Sequence, residues 1–172
     1  MRRITGLATI AAATLWVAAP ALAYQDQISL GVEAGYAGQF GDNALGDHGV
    51  ALGLSSALGL DDTWMVRAHA LYAYHPGTLP WHASLFGAEL IYVLDVIEWI
   101  PFFGLGAHGM LNVADGEVSA DGAGNLVLGL DYVLSRDTVV GLDIRPFVVL
   151  SALETRPAYL TVTLRLEWLF DM

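Results

Sequence analysis

The residues able to do chemistry are few and spread along the whole chain. Ten ionisable side chains sit at alternate positions between apolar or small residues: Glu33, Arg67, His69, Glu89, His108, Asp131, Asp143, Arg145, Arg165 and Glu167. Three arginines against five acids is the composition of an ion-pair network, because charges in a narrow interior must be paired or hydrated. A second set, His82-x-Ser84 with Glu89, has the residue types of a nucleophile, a base and an orienting acid. Acids at Asp42, Asp47, Asp115, Glu117 and Asp121 are hard oxygen ligands, but their spacing does not match a calcium loop. His48, His75 and His82 lie in segments that read as outer connections, close enough in position to meet. The chain has no cysteine, which removes disulfides, thiolate metal sites and thiol chemistry. It also lacks a Gly-x-Ser-x-Gly elbow, a His-Glu-x-x-His pair and a phosphate loop. No catalytic residue, metal site or cofactor is expected.

The elements that must position these groups follow from composition and period. The 172 residues are 55% hydrophobic and only 15% charged, with no lysine and a formal net charge of −11. That balance argues against a nucleic-acid partner, and the scarcity of charge fits a water-soluble surface poorly. Residues 1–23 have the three parts of a secretory signal peptide: Arg2-Arg3, an apolar run from Ile4 to Ala19, and Ala21-Leu22-Ala23 before the expected cut. Removing Arg2 and Arg3 takes the net charge from −11 to −13 for residues 24–172. Beyond Ala23 no uncharged apolar run reaches the ~18 residues of a membrane helix.

The period there is two. Leu160, Val162, Leu164, Leu166, Trp168 and Phe170 alternate with Thr161, Thr163, Arg165 and Glu167. Segments Ile28–Tyr36, Val50–Leu60, Trp64–His75, Ala83–Leu94, Pro101–Asn112, Leu126–Leu134 and Thr138–Val149 repeat the pattern. Eight strands of about 10–12 residues have the length that crosses a bilayer at a tilt. Asp61–Thr63, Asp95–Ile100 and Ser135–Asp137 read as compact turns. Gln39–Asp47, Pro76–His82, Asn112–Ala123 and Leu150–Ala158 read as longer loops. The expectation is an all-β, eight-stranded antiparallel up-and-down transmembrane barrel.

The second face of each strand is Gly, Ala, Ser and Thr with isolated charges. It is too small and too weakly polar to coat a soluble protein, and it suits a narrow lumen. The Leu/Val/Ile/Tyr face then meets lipid. Trp64, Trp99, Phe102, Phe103, Tyr132, Trp168 and Phe170 fall toward the short-turn ends, and Tyr36, Phe40, Tyr72, Tyr74, Trp81 and Tyr159 toward the long-loop ends. Two interfacial girdles are expected. Pro146, which lacks a ladder donor, should mark the outer end of its strand or a bulge. With these faces, Ser84 points to lipid and Glu89 to the lumen, so the hydrolase trio does not assemble.

The eight-strand pattern, Tyr92-Val93-Leu94-Asp95 with Ile100-Pro101-Phe102-Phe103-Gly104-Leu105-Gly106, and the aromatic last strand resemble small bacterial outer-membrane barrels. The resemblance is to the OmpA-transmembrane, OmpX, opacity-protein and OmpW kind. It implies an outer-membrane location in a Gram-negative cell, with lipid and lipopolysaccharide as surroundings. It also implies that Leu166, Trp168 and Phe170 form an assembly signal for the barrel-insertion machinery, although the chain ends on Asp171-Met172 and not on the aromatic. The role read for the chain is structural or surface-interaction. A narrow, porin-like channel for small solutes or hydrophobic compounds is one alternative, and a lipid-modifying enzyme another. Finally, Ala68, Ala70, Ala88, Ala107 and Gly109 on neighbouring strands read as a smooth outward strip on which a second copy could pack.

Overall fold

A computed structural model describes residues 27–41, 48–94, 99–154 and 157–171. The expected signal segment 1–23, its cleavage site, Asp42 and Asp47 lie outside the described residues. Eight strands form one closed antiparallel barrel in chain order. They are β1 (Gln27–Phe40), β2 (His48–Gly59), β3 (Trp64–His75), β4 (Trp81–Val93), β5 (Trp99–Ala114), β6 (Glu117–Ser135), β7 (Thr138–Val149) and β8 (Ala158–Asp171). Closure runs from Gln27 opposite Asp171 to Phe40 opposite Ala158. It removes every open edge between the ends, which a backbone crossing lipid requires.

The alternation sorts side chains as period two dictates. Outward positions hold residues such as Leu52, Leu54, Leu105 and Leu164, each more than 60% exposed. No Asp, Glu, Lys or Arg occupies an outward position of the described strands. An exposed surface of that kind is a lipid surface.

Connections are tight at one end. Asp61 Oδ1 accepts the N–H groups of Thr63 and Trp64, both at 2.8 Å, and the Thr63 hydroxyl at 2.9 Å. The Thr63 N–H, then its hydroxyl and the Trp64 N–H, hold this exposed carboxyl below its ordinary value of 3.8. Only Arg136 and Asp137 separate β6 from β7.

Several expectations are corrected. The third outer connection is not a loop over 112–123. β5 and β6 continue into a hairpin with Ala114 opposite Glu117, closed by Asp115 (φ 50°) and Gly116 (φ 78°). Two consecutive positive φ values make the primed turn that Asp-Gly favours. Asp115 alone of the acids there lies in a turn; Glu117 and Asp121 are strand residues. Trp99 and Ile100 open β5, and Trp81 and His82 open β4, so neither pair belongs to a connection. His48, His75 and His82 are also strand residues and each meets a tyrosine, as described below. Pro146 is neither the end of β7 nor a bulge. It pairs with Leu160 of β8, while the pairing with β6 skips from Asn125–Phe147 to Leu128–Ile144. The irregularity of that ladder sits at Val133 and Ser135.

Three aromatics assigned to the girdles point inward. Trp81, Phe102 and Tyr159 are buried in the lumen, at 0%, 3% and 1% exposure. Each shares the parity of an inward charge on its own strand: Trp81 that of Glu89, Phe102 that of His108, Tyr159 that of Arg165. Trp64, Trp99, Phe103, Trp168 and Phe170 at one end, and Phe40, Tyr72 and Tyr74 at the other, do lie exposed on the outer face.

Candidate functional site

The lumen is layered. At the long-loop end Leu71, Trp81, Leu85, Met110, Phe147 and Tyr159 pack into one apolar cluster. His75 stacks on Trp81 with ring centroids 4.0 Å apart and shares a 2.9 Å hydrogen bond with Tyr159 Oη. At the short-turn end Met65, Ile91, Val93, Ile100, Phe102 and Val127 form a second cluster. Between them lies a charged belt, and all ten ionisable residues singled out from the sequence are buried in it. The belt reaches the short-turn layer, where Asp131 stands opposite Ile100 and Glu167 opposite Val139.

Two centres organise it. Asp143 of β7 accepts Arg145 Nη2 at 2.9 Å and Arg165 Nε at 3.1 Å on one oxygen, and Arg67 Nη1 lies 3.5 Å from the other. Arg145 in turn spans three acids. Its Nε reaches Glu89 Oε1 at 3.0 Å, its Nη1 reaches Glu33 Oε2 at 2.9 Å, and its Nη2 takes Asp143. Arg165 adds Asp131 at 2.6 Å and an ion pair with Glu167. His69 links the belt to a second imidazole: its Nε2 is 2.8 Å from Glu33 Oε1 and its Nδ1 is 3.3 Å from His108 Nε2.

Neutral groups complete the set. Asn125 donates to Glu89 at 2.8 Å, Thr163 donates to Glu33 at 2.8 Å, and Ser29 donates to Glu167. Phe102 floors the belt, with the Arg67 guanidinium 5.0 Å and that of Arg165 5.8 Å from its ring centroid. Reading for charge missed Ser29, Asn125 and Thr163. Their inward parity was the available signal.

Small residues make room for this. A methyl on Gly106 would come within 2.7 Å of Asn125 Oδ1 and 2.9 Å of Glu89 Cγ, and one on Gly141 within 2.7 Å of Arg165 Nη2. Gly106 and Gly141 therefore leave space for the long polar side chains of the belt.

Neighbour rules on the sheet do not predict the pairing. Arg67 stands directly opposite Glu89 in the β3–β4 register. Yet Glu89 is held by Arg145 from β7, across the lumen, and the ion pair of Arg67 is the long one to Asp143. The hydrolase trio stays apart: Ser84 takes an outward position while Glu89 is buried inside. Among the described residues no group of three or more His, Asp or Glu has metal-site geometry.

The small-residue strip divides. Ala68, Ala88 and Ala107 form one row with Ser56 and Gly124 in successive registers. Ala70 and Gly109 flank Phe86, whose ring covers Gly109. The smooth part is the row, and Phe86 interrupts the rest.

No protein-family model and no curated protein matches the chain. Solved structures do. Neisserial surface protein A superposes with a TM-score of 0.68 at 12% identity, covering 84% of this chain and 97% of that one. The β-barrel domain of Pseudomonas aeruginosa OprF gives 0.60 at 14% identity, covering 85% and 98%. Ail, the attachment invasion locus protein of Yersinia pestis, gives 0.56 at 12% identity, covering 85% and 99%. The chain thus has the fold of the small eight-stranded outer-membrane barrels.

Proposed function

We propose that the chain is an integral barrel of a bacterial outer membrane, exported by residues 1–23 and cut after Ala23, with a structural or surface-interaction role. The observation that carries this reading is the layered interior inside an uncharged exterior. A conduit needs a continuous polar path, and here apolar clusters cap the charged belt at both ends.

With the lumen closed, the surface at the long-loop end is what remains to act. β6 continues from Glu117 to Gly122 past its last β7 partner, Ala123. Six residues at about 3.3 Å each lift the hairpin about 20 Å along the strand direction. Gly122 N–H is met by Ser151 Oγ at 3.1 Å, and Val118 is 69% exposed. In this reading the outward alternation of Leu166, Trp168 and Phe170 serves the insertion machinery, and the role needs neither cofactor nor catalysis.

The test is membrane fractionation with heat-modifiable gel mobility, followed by planar-bilayer recording. Outer-membrane recovery without discrete conductance is expected. Recovery in the soluble periplasm would sink the membrane reading. Reproducible single-channel steps would replace the sealed barrel with the narrow-channel alternative.

A further inference from the structure

Outside the belt, the outer face of β1–β4 near the long-loop end carries a cluster the sealed-barrel reading does not use. Tyr36, Val50, Tyr74 and His82 stand opposite one another in successive registers, forming one row around the barrel. Tyr36 Oη is 2.5 Å from His48 Nδ1, and Tyr72 Oη is 2.6 Å from His82 Nδ1. The Tyr72 and Tyr74 rings pack on His82 with centroids 5.8 and 5.2 Å away. The same tyrosine–imidazole clamp is built twice on one face.

A phenol is the better donor of the two groups. A Tyr O–H given to Nδ1 leaves the ring hydrogen on Nε2. Each clamp then offers a fixed Nε2–H donor. The chain has no lysine. Of the described arginines, Arg67, Arg145 and Arg165 are buried in the belt and Arg136 lies in the β6–β7 turn at the opposite end. Among the described residues, no lysine or arginine therefore stands beside the His48 and His82 N–H donors on the outward face at this end.

Directly along the strands from the second clamp lies a shallow, open apolar depression of about 430 Å³, lined by Leu52, Leu54, Ala70, Tyr72 and Ser84. Tyr72 belongs to both depression and clamp. An anion-binding head continuous with an apolar depression on a lipid-facing wall matches one kind of ligand. We propose that this surface binds a phosphorylated glycolipid of the outer leaflet, its phosphate on His48 and His82 and an acyl chain in the depression. The continuity through Tyr72 favours a lipid over free phosphate. The proposal rests on the outer-membrane reading above.

The test uses the full mature chain in phosphatidylcholine nanodiscs doped with either diphosphorylated or dephosphorylated lipid A, with co-purified lipid counted by native mass spectrometry. Preferential retention of the phosphorylated form is expected, with a roughly tenfold drop in His48→Gln/His82→Gln, as losing charge-assisted hydrogen bonds implies. Tyr72→Phe, which keeps the depression, should lose part of the preference. Equal retention of the two lipids, or an unchanged preference in the double variant, overturns the site. Inorganic phosphate alone shifting the His48 and His82 NMR signals as far as the lipid does would overturn the acyl part. A barrel that fails to insert, judged by heat-modifiable mobility, instead sinks the membrane reading itself.

Discussion

Replacing each lumen arginine separately should produce three different losses of stability, because the belt distributes its contacts unequally. Arg145→Leu removes hydrogen bonds of 2.9–3.2 Å to Glu33, Glu89, Asp143 and Thr163. It leaves those three acids in an interior where only Arg67 and Arg165 remain as fixed cations. Breaking one buried pair costs about 3–5 kcal/mol, so this variant should lose at least that. Arg165→Leu strips Asp131 and Glu167 of their guanidinium and takes one of three cations from Asp143, for a similar or slightly smaller loss. Arg67→Met should behave differently. Its ion pair is 3.5 Å long, its Nε and Nη1 find no hydrogen-bond acceptor among the described residues, and its guanidinium sits over Phe102. A methionine there trades a poorly compensated buried charge for thioether contact with the ring. The change should be neutral or stabilising by about 1 kcal/mol. The assay is reversible urea unfolding of the refolded barrel in bicelles, followed by tryptophan fluorescence. Glu89→Gln combined with Arg145→Leu should recover part of the loss by removing one stranded charge. Equal losses for the three single variants, or an Arg67 variant weaker than the Arg145 variant, would refute the assignment of Arg145 and Asp143 as the centres.

Gly116→Val should strain the β5–β6 turn, where φ is 78°, by about 1–2 kcal/mol. Because β6 has no β7 partner before Ala123, proteolysis of the hairpin should rise while the urea midpoint of the barrel stays put; a shifted midpoint would show that the hairpin is part of the cooperative unit. Asp61 should titrate below 3.8 in the folded protein, since the N–H groups of Thr63 and Trp64 bond its charged form. Its support of the β2–β3 turn is then full above that pH and lost as pH falls through the depressed value, so a carboxyl NMR titration with a midpoint at or above 3.8 would contradict the turn geometry. If the row of Ala68, Ala88 and Ala107 packs against a second barrel, Ala107→Cys should give disulfide-linked dimers in membranes, whereas Leu105→Cys, on the same strand but outside the row, should not; equal yields would mean random collision.

Period two by itself determined most of the architecture. An apolar residue at every other position over eight segments can only be satisfied by a sheet with one greasy face. The meagre, small-residue character of the other face already turned the greasy one outward. The same parity carried the direction of Trp81, Phe102 and Tyr159, although their aromatic character points equally to an interfacial anchor or a lumen plug. Asp115-Gly116 likewise held its hairpin turn in two residues. What only the tertiary structure decided is how the interior is divided and which charges meet. Alternation says that Glu33, Glu89 and Arg145 point inward, but not at what depth, and not which strands face each other across the closed ring. Register puts Arg67 opposite Glu89, yet an arginine reaching from β7 holds that carboxylate. A lumen this narrow lets long side chains cross it, so contacts between strands far apart in the sheet compete with contacts between neighbours. That competition turns a string of alternate charges into one cross-linked belt.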